Sequence, residues 1–129
     1  HFSQGNGEVA LTALEGSTRA TFKLTVLKAG IDPIPGQELK QTLAETSDYW
    51  ITPGLDPDLN EAMKNSTREA IRFLNQHYGI DEELAYAYLS AATDFNVSQV
   101  VDKTKGIHAL IRKQDLREFE PIPKKAIQK

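Results

Sequence analysis

The 129-residue sequence contains no cysteine, which excludes disulfide frameworks, zinc fingers and thiol nucleophiles. That absence suits the cytoplasm and the periplasm equally and does not choose between them. Basic charge is not in surplus: 15 Lys and Arg stand against 18 Asp and Glu, for a net charge of -3. Such a chain has no general electrostatic pull toward nucleic acid or an anionic membrane, so neither is expected as a partner. No apolar run approaches the length that spans a bilayer. There is no P-loop, dinucleotide fingerprint or nucleophile elbow, and no internal repeat or low-complexity tract. What is present is ordinary globular composition, 40% hydrophobic and 26% charged, in a chain the size of one domain with one core.

The periodicities point to an α+β fold built of β-hairpins around two central helices. "EVALTALE" is apolar enough for a buried strand, and "RATFKLTVLK" alternates Ala20, Phe22, Leu24 and Val26 against Arg19, Thr21, Lys23 and Thr25. With the Gly-Ser turn between them, residues 8–28 read as a hairpin. "GIDPIPGQ" holds two Gly and two Pro and reads as a loop over 30–37, followed by a short strand around Tyr49, Trp50 and Ile51. Asp56 is placed to cap a helix with Pro57 at its first position. Leu59, Ala62, Met63, Ala70, Phe73, Leu74 and His77 form its stripe, and Gly79 is its stop. Asp81 starts a second helix with Glu82 and Glu83 in its first turn, where they suit the dipole. Leu84, Ala85, Ala87, Leu89, Ala91 and Ala92 make that helix apolar on nearly every side, so it is expected to be buried. "VSQVVD" and "GIHALIRK", joined by "KTKG", read as a second hairpin, and the tail from Arg117 as irregular.

Candidate chemistry gathers at the start of the chain. In "HFSQGNGE", two glycines separated by one residue let the backbone turn sharply and bring His1, Gln4 and Glu8 toward one point. An imidazole with a carboxylate suits a borderline divalent metal, or a base with its orienting partner; a solvated tail is the competing reading. Asp94 closes the second helix, where it is either a polar turn residue or a site carboxylate. Gln99 is either an outward residue of its strand or an amide aimed into a pocket. Ile107, Ala109 and Ile111 share one face, so His108 points the other way with Leu110. His77 reads as a packing or helix-end residue.

Taken together, "HFSQGNGE" and "SAATDFNVSQVVDKTKGIHALIRK" resemble the acetamidase/formamidase family. That family carries a Gly-Asp-x-His-x-x-Gln-Gly-Asp-Gly-Glu stretch followed by a strand with Thr/Gly-Ala-x-Glu. His1, Gln4, Gly5, Gly7 and Glu8 match the first, and "TALE" at 12–15 the second. The family's later pattern, an Ala-Tyr-x-Leu-x-Ser helix, an Asp and Ser-Gln-Val-Val-Asp, is similar to residues 85–102. Asn6 stands where the family has Asp, which removes one charge. Family members are longer and begin upstream, so residues 1–129 are expected to be a single domain forming the C-terminal portion of a larger β-rich amidase fold.

The resemblance implies hydrolysis of a short primary amide to a carboxylate and ammonia, in an active site shared with an N-terminal portion. It implies zinc or calcium at His1, Asn6 and Glu8, with Glu8, Gln4, Asp94 and Gln99 as catalytic or substrate-holding groups. A metal there would acidify its bound water and polarise the amide carbonyl. A small amide, the N-terminal portion and a second copy in a homo-oligomer are the expected partners. The isolated portion is expected to be inactive. Two other readings compete: a non-catalytic binding module, and a copper site at an N-terminal His1 completed by His77 or His108.

Overall fold

The computed structural model describes residues 1–28, 35 and 39–122. Strand β1 (Ala44–Glu45) and strand β2 (Tyr49–Asp56) precede two helices, α1 (Leu59–Tyr78) and α2 (Glu82–Ala92). Strands β3 (Asp94–Gln99) and β4 (Lys105–Arg112) follow, then a 3-10 turn over Lys113–Leu116. The strands form one antiparallel sheet in the order β1-β2-β4-β3. This is the α+β class that the sequence leads one to expect, with its two central helices and its C-terminal hairpin.

The sheet's two faces follow from strand alternation. Trp50, Thr52 and Gly54 pair with Ile111, Ala109 and Ile107, and all six are buried. Both helices add to this face: Ala70, Phe73 and Leu74 of α1 and Ala85 and Leu89 of α2 join its core. The opposite face carries Ile51, Pro53, Leu55, His108 and Leu110, with Leu55 exposed and the others half-buried. Pro53 is tolerated inside β2 because β1 pairs only with Trp50 and Ile51, leaving β2 as an edge beyond them.

Helix α1 lies unusually close to β2. Ala62, Ser66 and Ala70 recur every fourth position and are fully buried. Opposite them is Gly54, where a methyl group would stand 2.1 Å from Ser66 N and 2.2 Å from Ala62 O. Across this contact the Ser66 hydroxyl donates to Thr52 O at 2.8 Å. Buried Glu69 ties α1 to the segment before β1, accepting from Lys40 N at 2.8 Å while paired with Arg72. Trp50 donates through Nε1 to the Tyr78 hydroxyl at 2.8 Å and lies under the Lys113 ammonium, 4.6 Å from its ring centre.

Three expectations need correction. Helix α1 is capped by Asp58, which accepts from Asn60 N and Glu61 N, because β2 runs on to Asp56 and delays the helix. Asp56 instead accepts from Asp58 N at 2.8 Å. Helix α2 is buried only at Ala85 and Leu89; Leu84 and Tyr86 are 58% and 62% exposed, because one edge of the helix alone meets the core. The hairpin over 8–28 does not form among the described residues. Glu8 and Leu11 have positive φ, 39° and 63°, which breaks the first strand. Ser3 pairs with Leu14 instead, and Phe22, Leu24 and Val26 stand 81%, 93% and 84% exposed. The loop over 30–37 lies outside the described residues except for Pro35, and the irregular tail is described only to Ile122. Gly79 ends α1 with φ 70°, and Asp81 caps α2, both as expected. Among the described residues no helix is long and apolar enough to cross a membrane.

Candidate functional site

The opening stretch is clipped to the sheet. Gly7 turns with φ 100°, a conformation that glycine adopts without strain, and its N–H donates to Ser98 O at 3.1 Å. Val100 N donates back to Gly7 O at 3.0 Å, so Gly7 forms a parallel bridge with Gln99 at the end of β3. This docking buries Gly7 and the following Glu8, whose side chain is only 5% exposed.

The buried carboxylate meets the first side chain of the sequence: Glu8 Oε1 lies 3.0 Å from His1 Nε2. The other ring nitrogen, Nδ1, lies 2.8 Å from Glu15 Oε1. Glu15 reaches His1 because the chain doubles back, with Phe2 N donating to Leu14 O at 2.8 Å and Leu14 N to Ser3 O at 2.9 Å. Carboxylate, imidazole and carboxylate therefore form one chain of contacts. An imidazole held in this way is fixed in orientation and can hand a proton between its two partners.

Of the other residues singled out by sequence, Gln4 and Asn6 lie exposed on the same loop. Gln99 meets the loop through its backbone, while its side-chain amide donates to Thr104 O at 2.7 Å and braces the β3–β4 turn. Asp94 is exposed at the other end of the six-residue β3, about 16 Å from Gln99 at the usual rise per residue. The structure thus brings His1 and Glu8 together with the Gln99 backbone and leaves Asp94 apart. His77 packs among Trp50, Phe73 and Tyr78, as a packing residue would.

Two features went unnoticed in the sequence. One is Glu15, the second partner of His1, within the "TALE" stretch. The other is a contact between Ser98 and His108: Ser98 Oγ lies 2.7 Å from His108 Nδ1. Burial pushes the His108 pKa below the usual histidine value, favouring the neutral ring. Their meeting depends on the register slip at Ser98, which residue spacing does not encode.

As ligands for a metal, His1 Nε2 and Glu8 supply two donors. The contacts of Glu8 and Glu15 go to different ring nitrogens, whose lone-pair directions diverge. Among the described residues no group of three or more His, Cys, Asp or Glu side chains is placed to hold a metal ion.

No protein-family model matches the chain, and no curated protein does. Solved structures do. An acetamidase from Bacillus halodurans superposes with a TM-score of 0.59 at 22% identity, over 64% of this chain and 28% of that one. The fold is acetamidase-like. An acetamidase from Yersinia enterocolitica gives a TM-score of 0.56 at 23% identity, over 57% of this chain and 22% of its own. The acetamidase-like part therefore spans less than a third of either solved chain.

Proposed function

We propose that this chain is the site-bearing part of an amide hydrolase that releases ammonia and a carboxylate from a short primary amide such as formamide or acetamide. The observation that carries this reading is the buried Glu8 carboxylate, held against His1 by a loop clipped to β3 within an acetamidase-like fold. In this reading Glu8 takes the proton of the attacking water, and His1 orients the carboxylate and passes the proton on. Gln4, on the same loop, is the amide group available to hold the substrate. Zinc or calcium at His1, Asn6 and Glu8 would need ligands beyond those the described residues bring together; if bound, it would acidify water and polarise the amide carbonyl.

The reading includes a site completed by an N-terminal portion of polypeptide, with the isolated chain inactive. The test is ammonia release from formamide and acetamide by the full-length protein that carries this chain. Glu8→Gln is expected to lower turnover by about 10²–10⁴-fold, the usual contribution of a general base. Undiminished turnover in Glu8→Gln would overturn the assignment. A second reading, a non-catalytic module, draws on the exposed row of Phe22, Leu24 and Val26, an apolar surface of the kind that meets a partner.

A further inference from the structure

Ser98 occupies an irregular position in its strand. Val97 pairs with Ile107 and Gln99 with Gly106, so the register slips at Ser98 and leaves it without a cross-strand counterpart. Such bulges re-aim a side chain. Here the hydroxyl comes to 2.7 Å from His108 Nδ1, on the sheet face that the helices do not cover. Gly106 keeps the space beside it open: a methyl group at 106 would stand 3.2 Å from Ser98 Cβ and 3.5 Å from its Oγ. Asn96 is the register partner of His108, so its amide stands beside the imidazole on the same face. The Ser98 carbonyl accepts from Gly7 N at 3.1 Å, which ties this pair to the loop that carries Glu8. Burial favours the neutral ring, and in its Nε2–H tautomer His108 Nδ1 accepts the serine proton across the 2.7 Å contact.

We propose that Ser98 is a nucleophile with His108 as its general base, so that amide hydrolysis in this protein passes through an acyl ester on Ser98. The proposal rests on the amide-hydrolysis reading for its substrate. Ser98 Oγ forms a bond to the amide carbonyl carbon as its proton moves to His108 Nδ1. The C–N bond then breaks and the leaving nitrogen takes that proton, departing as ammonia. Water adds to the ester carbonyl, the bond to Ser98 oxygen breaks, and a proton returns to that oxygen through His108. In this second step Glu8 takes one proton of the water, and the proton that His108 passes to the Ser98 oxygen comes from the carboxylic acid released. The Asn96 side-chain amide is the neighbouring donor for the negative oxygen formed in each half.

Because the proposed site is completed by an N-terminal portion, the test uses the full-length protein that carries this chain. It is incubated with an alkyl fluorophosphonate, and adducts are counted by intact mass and placed by peptide mapping. One adduct on Ser98 is expected, absent in Ser98→Ala and formed at least about 100-fold more slowly in His108→Gln. Circular dichroism and melting check that each variant is folded, and the unvaried chain reports directly. No adduct at Ser98 after hours at millimolar probe would overturn the proposal. So would labelling of Ser98 at an unchanged rate in folded His108→Gln. Labelled Ser98 in a full-length protein that releases no ammonia would keep the nucleophile and overturn the amidase reading. Ammonia release that survives Ser98→Ala would do the reverse.

Discussion

Replacing Gly54 with alanine tests how closely α1 must lie on the sheet. The new methyl group would meet Ser66 N at 2.1 Å, Ala62 O at 2.2 Å and Ser66 Cα at 2.8 Å, all backbone atoms that no rotamer change can move aside. Contacts of this kind are not found below 3.0 Å, so α1 and β2 must part by about 0.9 Å along the tightest direction. A gap of that size forfeits about a quarter to a half of the dispersion attraction across the interface. It also stretches the buried 2.8 Å bond from the Ser66 hydroxyl to Thr52 O beyond useful length. Overpacking of a tight core costs about 1–3 kcal/mol, and a buried polar group left unpaired about 1–3 kcal/mol more. Together they set a loss of about 2–6 kcal/mol, a large share of the roughly 5–15 kcal/mol that stabilises a domain. Urea titration read by the fluorescence of the single tryptophan, Trp50, which is 8% exposed in the folded chain, measures it directly. Gly5→Ala is the control, because a methyl group there meets nothing within 4 Å. A Gly54→Ala loss below about 1 kcal/mol, or one matched by Gly5→Ala, would show that the helix is not held at this distance by the missing side chain.

Thr52→Val should stabilise the chain by about 1 kcal/mol in the same titration, since it removes a buried hydroxyl without a hydrogen-bond partner at nearly constant shape; a destabilisation would mean that the hydroxyl is satisfied. Lys103→Gly should raise the melting temperature, because Lys103 holds φ 66° directly after Asp102 at φ 61°. The left-handed conformation costs a side chain about 1–2 kcal/mol, and the entropy lost by glycine returns only part of that. Tyr88 donates to Asp115 Oδ2 at 3.0 Å, and burial first, then that bond and the carboxylate charge, push its pKa from 10.0 up to about 12. The folded chain therefore holds this proton more tightly than the unfolded one: the stabilisation is complete below about pH 10 and is lost as the pH rises toward about 12. Melting curves at pH 9 and 11 should converge between the parent and Tyr88→Phe, and parallel curves would contradict the shift.

Local chemistry carried most of the legible fold. Gly79 and Asp81 mark their helix ends through the αL stop and the side-chain cap, and both act within a few residues. The alternation at Ile107, Ala109 and Ile111 gave the correct buried face because both neighbours of β4 pair along most of its length. The same alternation misled at 19–28, because a period of two states which side chains could be buried together and does not supply the strand to pair with. The start of α1 moved from Asp56 to Asp58 for a tertiary reason, the pairing of Asp56 with Lys105 across the sheet. At the candidate site, the spacing of Gly5 and Gly7 pointed to His1, Gln4 and Glu8 at one place; His1 meets Glu8, and Gln4 lies exposed on the same loop. Glu15 could not be foreseen without the bridge from Ser3 to Leu14, nor could Ser98 without the bulge, because each depends on a register that spacing does not encode.

The clip between Gly7 and β3 has a consequence for occupancy. Among the described residues, the backbone bonds that tie the opening loop to the sheet are those from Gly7 N to Ser98 O and from Val100 N to Gly7 O. Each contributes about 1 kcal/mol net, so the loop is held less firmly than the packed helix and sheet beneath it. The His1–Glu8 pair is therefore a population, assembled in the closed fraction of molecules and dispersed in the rest. In the amidase reading proposed above, apparent substrate affinity would scale with that fraction, so a partner covering the loop from outside would raise activity without touching a reacting atom.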